Sequence, residues 1–132
     1  MKHGCVVLAD IHHPMLEATR GLLDSKFRTV VMVSSCESLL EATIKIRPDL
    51  IVADLSLPSS DGHKLLLKYD DRLEEFNMIV LGTYNERGIV ENIMKTGANG
   101  YVLKGAAATD LLFAVDIVMG GDNSVSPSVS SG

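Results

Sequence analysis

Pro48-Asp49-Leu50-Ile51-Val52-Ala53-Asp54-Leu55-Ser56-Leu57-Pro58 contains four consecutive apolar residues that stop on a carboxylate, after which the chain turns toward Gly62. An apolar run of this length between turn signals reads as a strand buried on both faces, the kind found in parallel sheets. Asp54 then stands at the carboxyl end of that strand, the edge where ligands collect in open α/β sheets. Asp also starts turns readily, so the other strand ends must decide between chemistry and a simple turn.

Working outward, further short apolar runs alternate with helix-period segments. The strands are expected at Cys5 to Ala9, Thr29 to Val33, Leu50 to Ala53, Met78 to Leu81 and Tyr101 to Leu103. Between and after them, Met15, Thr19, Leu22 and Leu23 mark an amphipathic face entered through Pro14. Leu39, Leu40, Thr43 and Ile46 mark a second, with Ser34 and Ser35 available as N-cap and a stop before Arg47-Pro48. Leu65, Leu66 and Tyr69 place a third helix between Asp61 and about Leu73. Ile89, Val90, Ile93 and Met94 give a fourth closed by Gly97, and Leu111, Leu112, Val115, Val118 and Met119 a fifth ending at Gly120-Gly121. Strand and helix in alternation predict an α/β fold, a mostly parallel sheet with crossover helices on both faces. The domain is expected over residues 1–121. Residues 122–132, small, polar and proline-bearing, read as a linker or disordered tail.

A chain of 132 residues with 46% hydrophobic and 22% charged residues fits one ordinary globular domain. No apolar stretch is long enough to span a bilayer, and Asp10 interrupts the first hydrophobic run before a signal-peptide cleavage site could appear. No membrane association and a cytoplasmic location are expected. The net charge of −5 argues against this segment gripping nucleic acid through phosphates. Cys5 and Cys36 show no metal spacing and read as reduced thiols, and the neighbours His12 and His13 point apart, against a shared metal.

If the strands are parallel, their carboxyl ends bring Asp10, Asp54 and Lys104 to one edge, with Gly82-Thr83 beside them. Two carboxylates together repel unless a cation offsets them, so the cluster needs Mg²⁺ or Lys104. Oxygen ligands in low number suit a hydrated Mg²⁺. Such a site can pass a phosphoryl group to a carboxylate, with Asp54 as nucleophile, Lys104 pairing with a phosphoryl oxygen and the Thr83 hydroxyl accepting another. The product would act as a switch, its new charge reorganising the neighbouring loop and helix. Enzymatic turnover is not expected. There is no phosphate loop after the first strand for a flavin, no GxGxxG, and Ser56 stands where a phosphatase would want a second acid.

Pro48 to Pro58 with Gly62, and Gly97-Ala98-Asn99-Gly100-Tyr101-Val102-Leu103-Lys104, resemble the phosphoacceptor loop and last strand of CheY-like receiver domains of two-component response regulators. The wording is most similar to regulators of the LuxR/NarL type, and the resemblance covers nearly the whole chain. It implies a flavodoxin-like, doubly wound five-stranded parallel sheet with five helices and strand order 2-1-3-4-5. It further implies that Asp54 accepts a phosphoryl group from a sensor histidine kinase. Lys104 would be the site lysine, Tyr101 the switch aromatic alongside Thr83, and Asp10, Asp54 and the Ser56 carbonyl the Mg²⁺ ligands. A homodimer is implied as well, with DNA reached only through a helix-turn-helix absent from this chain. Two positions depart from the family pattern. Ile11 or His12 replaces the second metal-site acid, which predicts weak Mg²⁺ binding, and Gly82 stands where the family has Thr or Ser, so that Thr83 fills the role only if the loop shifts by one residue. The alternative reading is an atypical receiver-like interaction or dimerisation module working without phosphorylation. It would use the mixed surface of Glu86, Arg87, Glu91, Asn92, Lys95, Asp110 and Asp116.

Overall fold

Residue alternation builds the sheet. In the computed structural model, which describes residues 2–11, 13–57, 75–127 and 129, the strands β1 (His3–Ala9), β2 (Phe27–Val33), β3 (Leu50–Asp54), β4 (Met78–Gly82), β5 (Gly100–Leu103) and β6 (Ser124–Val125) form one parallel sheet in the order β2-β1-β3-β4-β5-β6. The described helices are α1 (His13–Asp24), α2 (Cys36–Ile46), α3 (Arg87–Lys95) and α4 (Ala107–Met119), with a 3-10 turn at Lys104–Ala106. Pro58, Gly62, His12 and the helix expected between Asp61 and Leu73 lie outside the described residues.

Both faces of the sheet are covered. Val7, Ala9, Ile51, Ala53, Val80 and Tyr101 point into one core with Leu39, Val90 and Ile93. Val6, Leu8, Leu50, Val52, Ile79, Leu81 and Val102 point into the other with Leu23, Leu111, Ala114, Val115 and Val118. A strand buried on two sides is apolar along its length, which is why Leu50–Ala53 and Met78–Leu81 read as continuous runs, and β3 and β4 are buried at every position, Asp54 at the end of β3 included.

The helix boundaries follow local chemistry. Ser35 caps α2 by accepting the Ser38 N–H at 3.0 Å. Arg47, at φ 53°, closes the same helix and donates its N–H to the Thr43 carbonyl. Gly97, at φ 116°, turns the chain out of α3.

The sheet has one strand more than the expected five. Ser124–Val125 fall in the stretch expected to be linker, yet they pair with Gly100–Tyr101. The Ser124 N–H donates to the Asn99 carbonyl at 3.0 Å and the Ser126 N–H to the Tyr101 carbonyl at 2.8 Å. Gly121, at φ 100°, makes the reversal out of α4 possible, and the buried Ser126 hydroxyl meets the Asp110 carboxylate. The physical reason is an open edge on β5, whose backbone groups accept any short segment that returns alongside.

Candidate functional site

The pleat and register assemble the site. The same-face row Val6, Leu8 runs on to Asp10, the row Leu50, Val52 to Asp54, and the row from Val102 to Lys104. Ala9 pairs with Ala53, so the next residue on each strand brings Asp10 beside Asp54. Lys104 starts one strand beyond β4, roughly two strand spacings of about 4.8 Å from Asp54. Its long stem crosses the end of β4, and Nζ meets Asp54 Oδ2 at 2.6 Å.

Asp54 is 1% exposed and Asp10 fully buried. The Ser56 N–H and hydroxyl both donate to Asp54 Oδ1 at 3.0 Å, and the Leu57 N–H donates to the Asp54 carbonyl at 3.0 Å. Burial pushes the Asp54 carboxyl up. The Lys104 ammonium, the Ser56 N–H, a hydrogen bond with Asp10 and the Ser56 hydroxyl outweigh it and hold Asp54 below the ordinary value of 3.8. A buried carboxylate kept ionised at a strand end is a poised oxygen nucleophile.

Asp10, Asp54 and the Ser56 carbonyl could hold a hydrated Mg²⁺, which takes few protein carboxylates and keeps its waters. Among the described residues no group of three or more His, Cys, Asp or Glu gathers into a metal-holding set. Ile11 is exposed and supplies no oxygen ligand. Thr83 is exposed and lines a cavity of about 480 Å³ with Gly82, Asn85, Leu103, Lys104, Gly105 and Ala106. Tyr101 is fully buried and donates its hydroxyl to the Tyr84 carbonyl at 2.8 Å. Burial, opposed by the bond to the Tyr84 carbonyl and aided by the charges of Tyr84 and Glu86, pushes that phenol up to about 12, so it is the donor at neutral pH.

Three contributors escape a reading of sequence: the Ser56 hydroxyl on Asp54, the Tyr84 carbonyl on Tyr101, and Asn99, whose side-chain oxygen accepts the Met78 N–H at 2.9 Å. Gly82 was the available signal for the second, since it leaves open the space that the Tyr101 hydroxyl fills.

This arrangement agrees with the comparisons. The response regulator receiver domain model matches residues 6–116. The transcriptional regulatory protein DegU of Brevibacillus brevis is 28% identical over 127 residues, covering 95% of this chain and 54% of that protein. The nitrate/nitrite response regulator protein NarL of Escherichia coli K12 is 31% identical over 113 residues, covering 83% and 52%. The chain thus spans about half the length of these curated relatives. The isolated REC domain of RcsB from Salmonella enterica serovar Typhimurium, solved in the presence of the phosphomimetic BeF3-, superposes with a TM-score of 0.84 at 26% identity, covering 97% of this chain and 96% of that one. Sheet order, strand-end acids, lysine and family match agree, and the chain belongs to the response regulator receiver domain family of two-component systems.

Proposed function

We propose that Asp54 accepts a phosphoryl group from the phosphohistidine of a sensor histidine kinase. A carboxylate oxygen of Asp54 forms the new P–O bond, the P–N bond to the imidazole breaks, and the electron pair leaves with the imidazole. The observation that carries this reading is the buried Asp54 carboxylate held ionised by Lys104 at 2.6 Å, with Asp10 alongside. On transfer, Lys104 exchanges its carboxylate partner for a phosphoryl oxygen, and Thr83 is the nearby hydroxyl for another. Mg²⁺, when bound through Asp10, Asp54 and the Ser56 carbonyl, neutralises charge on the phosphoryl oxygens. With Ile11 or His12 in place of a second acid, one charged oxygen donor fewer makes that binding weak.

The domain works as a switch and not as a turnover enzyme, with Thr83 and Tyr101 as the residues that respond. Its partners are the kinase and a second copy of the chain, and exposed Ile89 on α3 and Phe113 on α4 support a protein-facing surface. DNA is reached through a helix-turn-helix outside this chain, and a cytoplasmic place fits a phosphoryl acceptor. No helix among the described residues is long and apolar enough to cross a membrane. We read residues 1–121 as the receiver proper, with the stretch from 122 pairing along the edge of β5 at Ser124–Val125 before it leads out.

Incubation with Mg²⁺ and acetyl phosphate should add one phosphoryl group by intact mass, lost in Asp54→Asn. No adduct under conditions that label an ordinary receiver would favour the phosphorylation-independent interaction module instead.

A further inference from the structure

The segment after α4 is fastened to the domain by contacts that the helix itself does not need. α4 ends with its own carbonyls satisfied, since the Gly121 N–H donates to the Val118 carbonyl at 3.0 Å and the Asp122 N–H to the Ile117 carbonyl at 3.1 Å. Neither bond involves a residue beyond Asp122. The chain then returns along β5 on two main-chain bonds, from Ser124 to the Asn99 carbonyl and from Ser126 to the Tyr101 carbonyl. Ser126, 3% exposed, donates its hydroxyl to the Asp110 carboxylate in the first turn of α4. The turn steadies that acid, because the Thr109 hydroxyl lies 3.0 Å from both Asp110 Oδ1 and the Ala106 carbonyl. Val125 is exposed, and the half-buried Val129 packs only at the margin of the core. Lifting α4 would expose Leu111, Ala114, Val115 and Val118. Lifting the segment gives up mostly hydrogen bonds, which water replaces at small net cost.

We infer that residues 124–127 are a strap, latched by Ser126 on Asp110, that opens as one unit while the sheet and α4 stay folded. Gly120 and Gly121 form its hinge, the second already at φ 100°. Latched, the strap fixes the outgoing chain to the first turn of α4, next to the turn at Lys104–Ala106. Opened, the chain leaves from the end of α4, and the carbonyls of Asn99 and Tyr101 are bared at the sheet edge. The direction in which the chain leaves the domain is thus a two-position property, set by one buried polar contact. This goes beyond the phosphoacceptor reading and stands whether or not Asp54 is modified.

The test is native-state amide exchange on the whole chain, corrected for intrinsic rates, comparing Ser124 and Ser126 with Val115 and Val118 inside α4. In the parent the two strap amides should exchange in step, about a hundredfold or more faster than the helix amides. Ser126→Ala should speed both strap amides about tenfold, the equivalent of one hydrogen bond to a charged group, and leave Val115 and Val118 unchanged. Asp110→Ala should do the same to the strap relative to the helix, and the double variant should add nothing to either single change. Strap amides as slow as those of α4 in the parent, an effect of Ser126→Ala on Ser126 but not Ser124, or additive single effects would each overturn the inference. The parent comparison needs no substitution, so it decides the separate opening even if a variant fails to fold.

Discussion

Lys104 and Asp54 form a pair whose two members are unequal in what their loss does. Their side chains are 11% and 2% exposed, so neither can trade its partner for water. Removing the cation strands a buried carboxylate beside Asp10, and breaking such a pair costs about 3 kcal/mol or more. Lys104→Met should therefore lower unfolding stability at pH 7 by about that amount in urea melts. The sign with pH follows from the direction of the shift. Asp54 in the fold lies below 3.8, so its stabilising contribution is complete above 3.8 and is lost as pH falls through the lower folded value. The gap between parent and Lys104→Met should then be widest near neutrality and close as pH falls through the parent's lowered folded value, under which Asp54 is protonated in both. A gap independent of pH would place the effect of Lys104 in packing. Asp54 itself was legible from its strand. The Ser56 hydroxyl was not, because nothing in the spacing says that a loop serine will turn back onto the acid two residues before it.

At the scale of elements, local signals and tertiary ones separate cleanly. The α2 helix announces both of its ends: Ser35 caps the start, and the residue before Pro48 ends it. Ser35→Ala should cost about 1 kcal/mol by loss of the bond to the Ser38 N–H, read as a lower urea midpoint with an unchanged slope. β6 announces nothing. Two residues of mixed polarity have no periodicity, and Ser124–Val125 become a strand only because β5 offers unpaired backbone groups at the right distance. The expectation of a bare linker there failed for that reason. The strands β3 and β4 were readable because burial on both faces makes Leu50–Ala53 and Met78–Leu81 unbroken apolar runs.

For the molecule as a whole, charge and topology set different limits. A net charge of −5 opposes approach to a polyanion, so in a gel shift at physiological salt this segment alone should leave a regulatory DNA fragment unretarded. Tight, sequence-specific binding by the segment itself would contradict the charge reasoning. The reversal of strand order between β1 and β3 is what opens the crevice above Asp10 and Asp54. Neither acid could build that place alone.

The sequence by itself determined the parallel α/β fold, the placement of Asp10, Asp54 and Lys104 at strand ends, and the caps of α2, because period, burial and capping are properties of neighbouring residues. Only the tertiary structure decided that Lys104 reaches across β4 to Asp54, that Tyr101 occupies the space left by Gly82, and that the C-terminal segment closes the edge of β5. These depend on register, side-chain reach and unpaired edges, which arise between strands far apart in the chain.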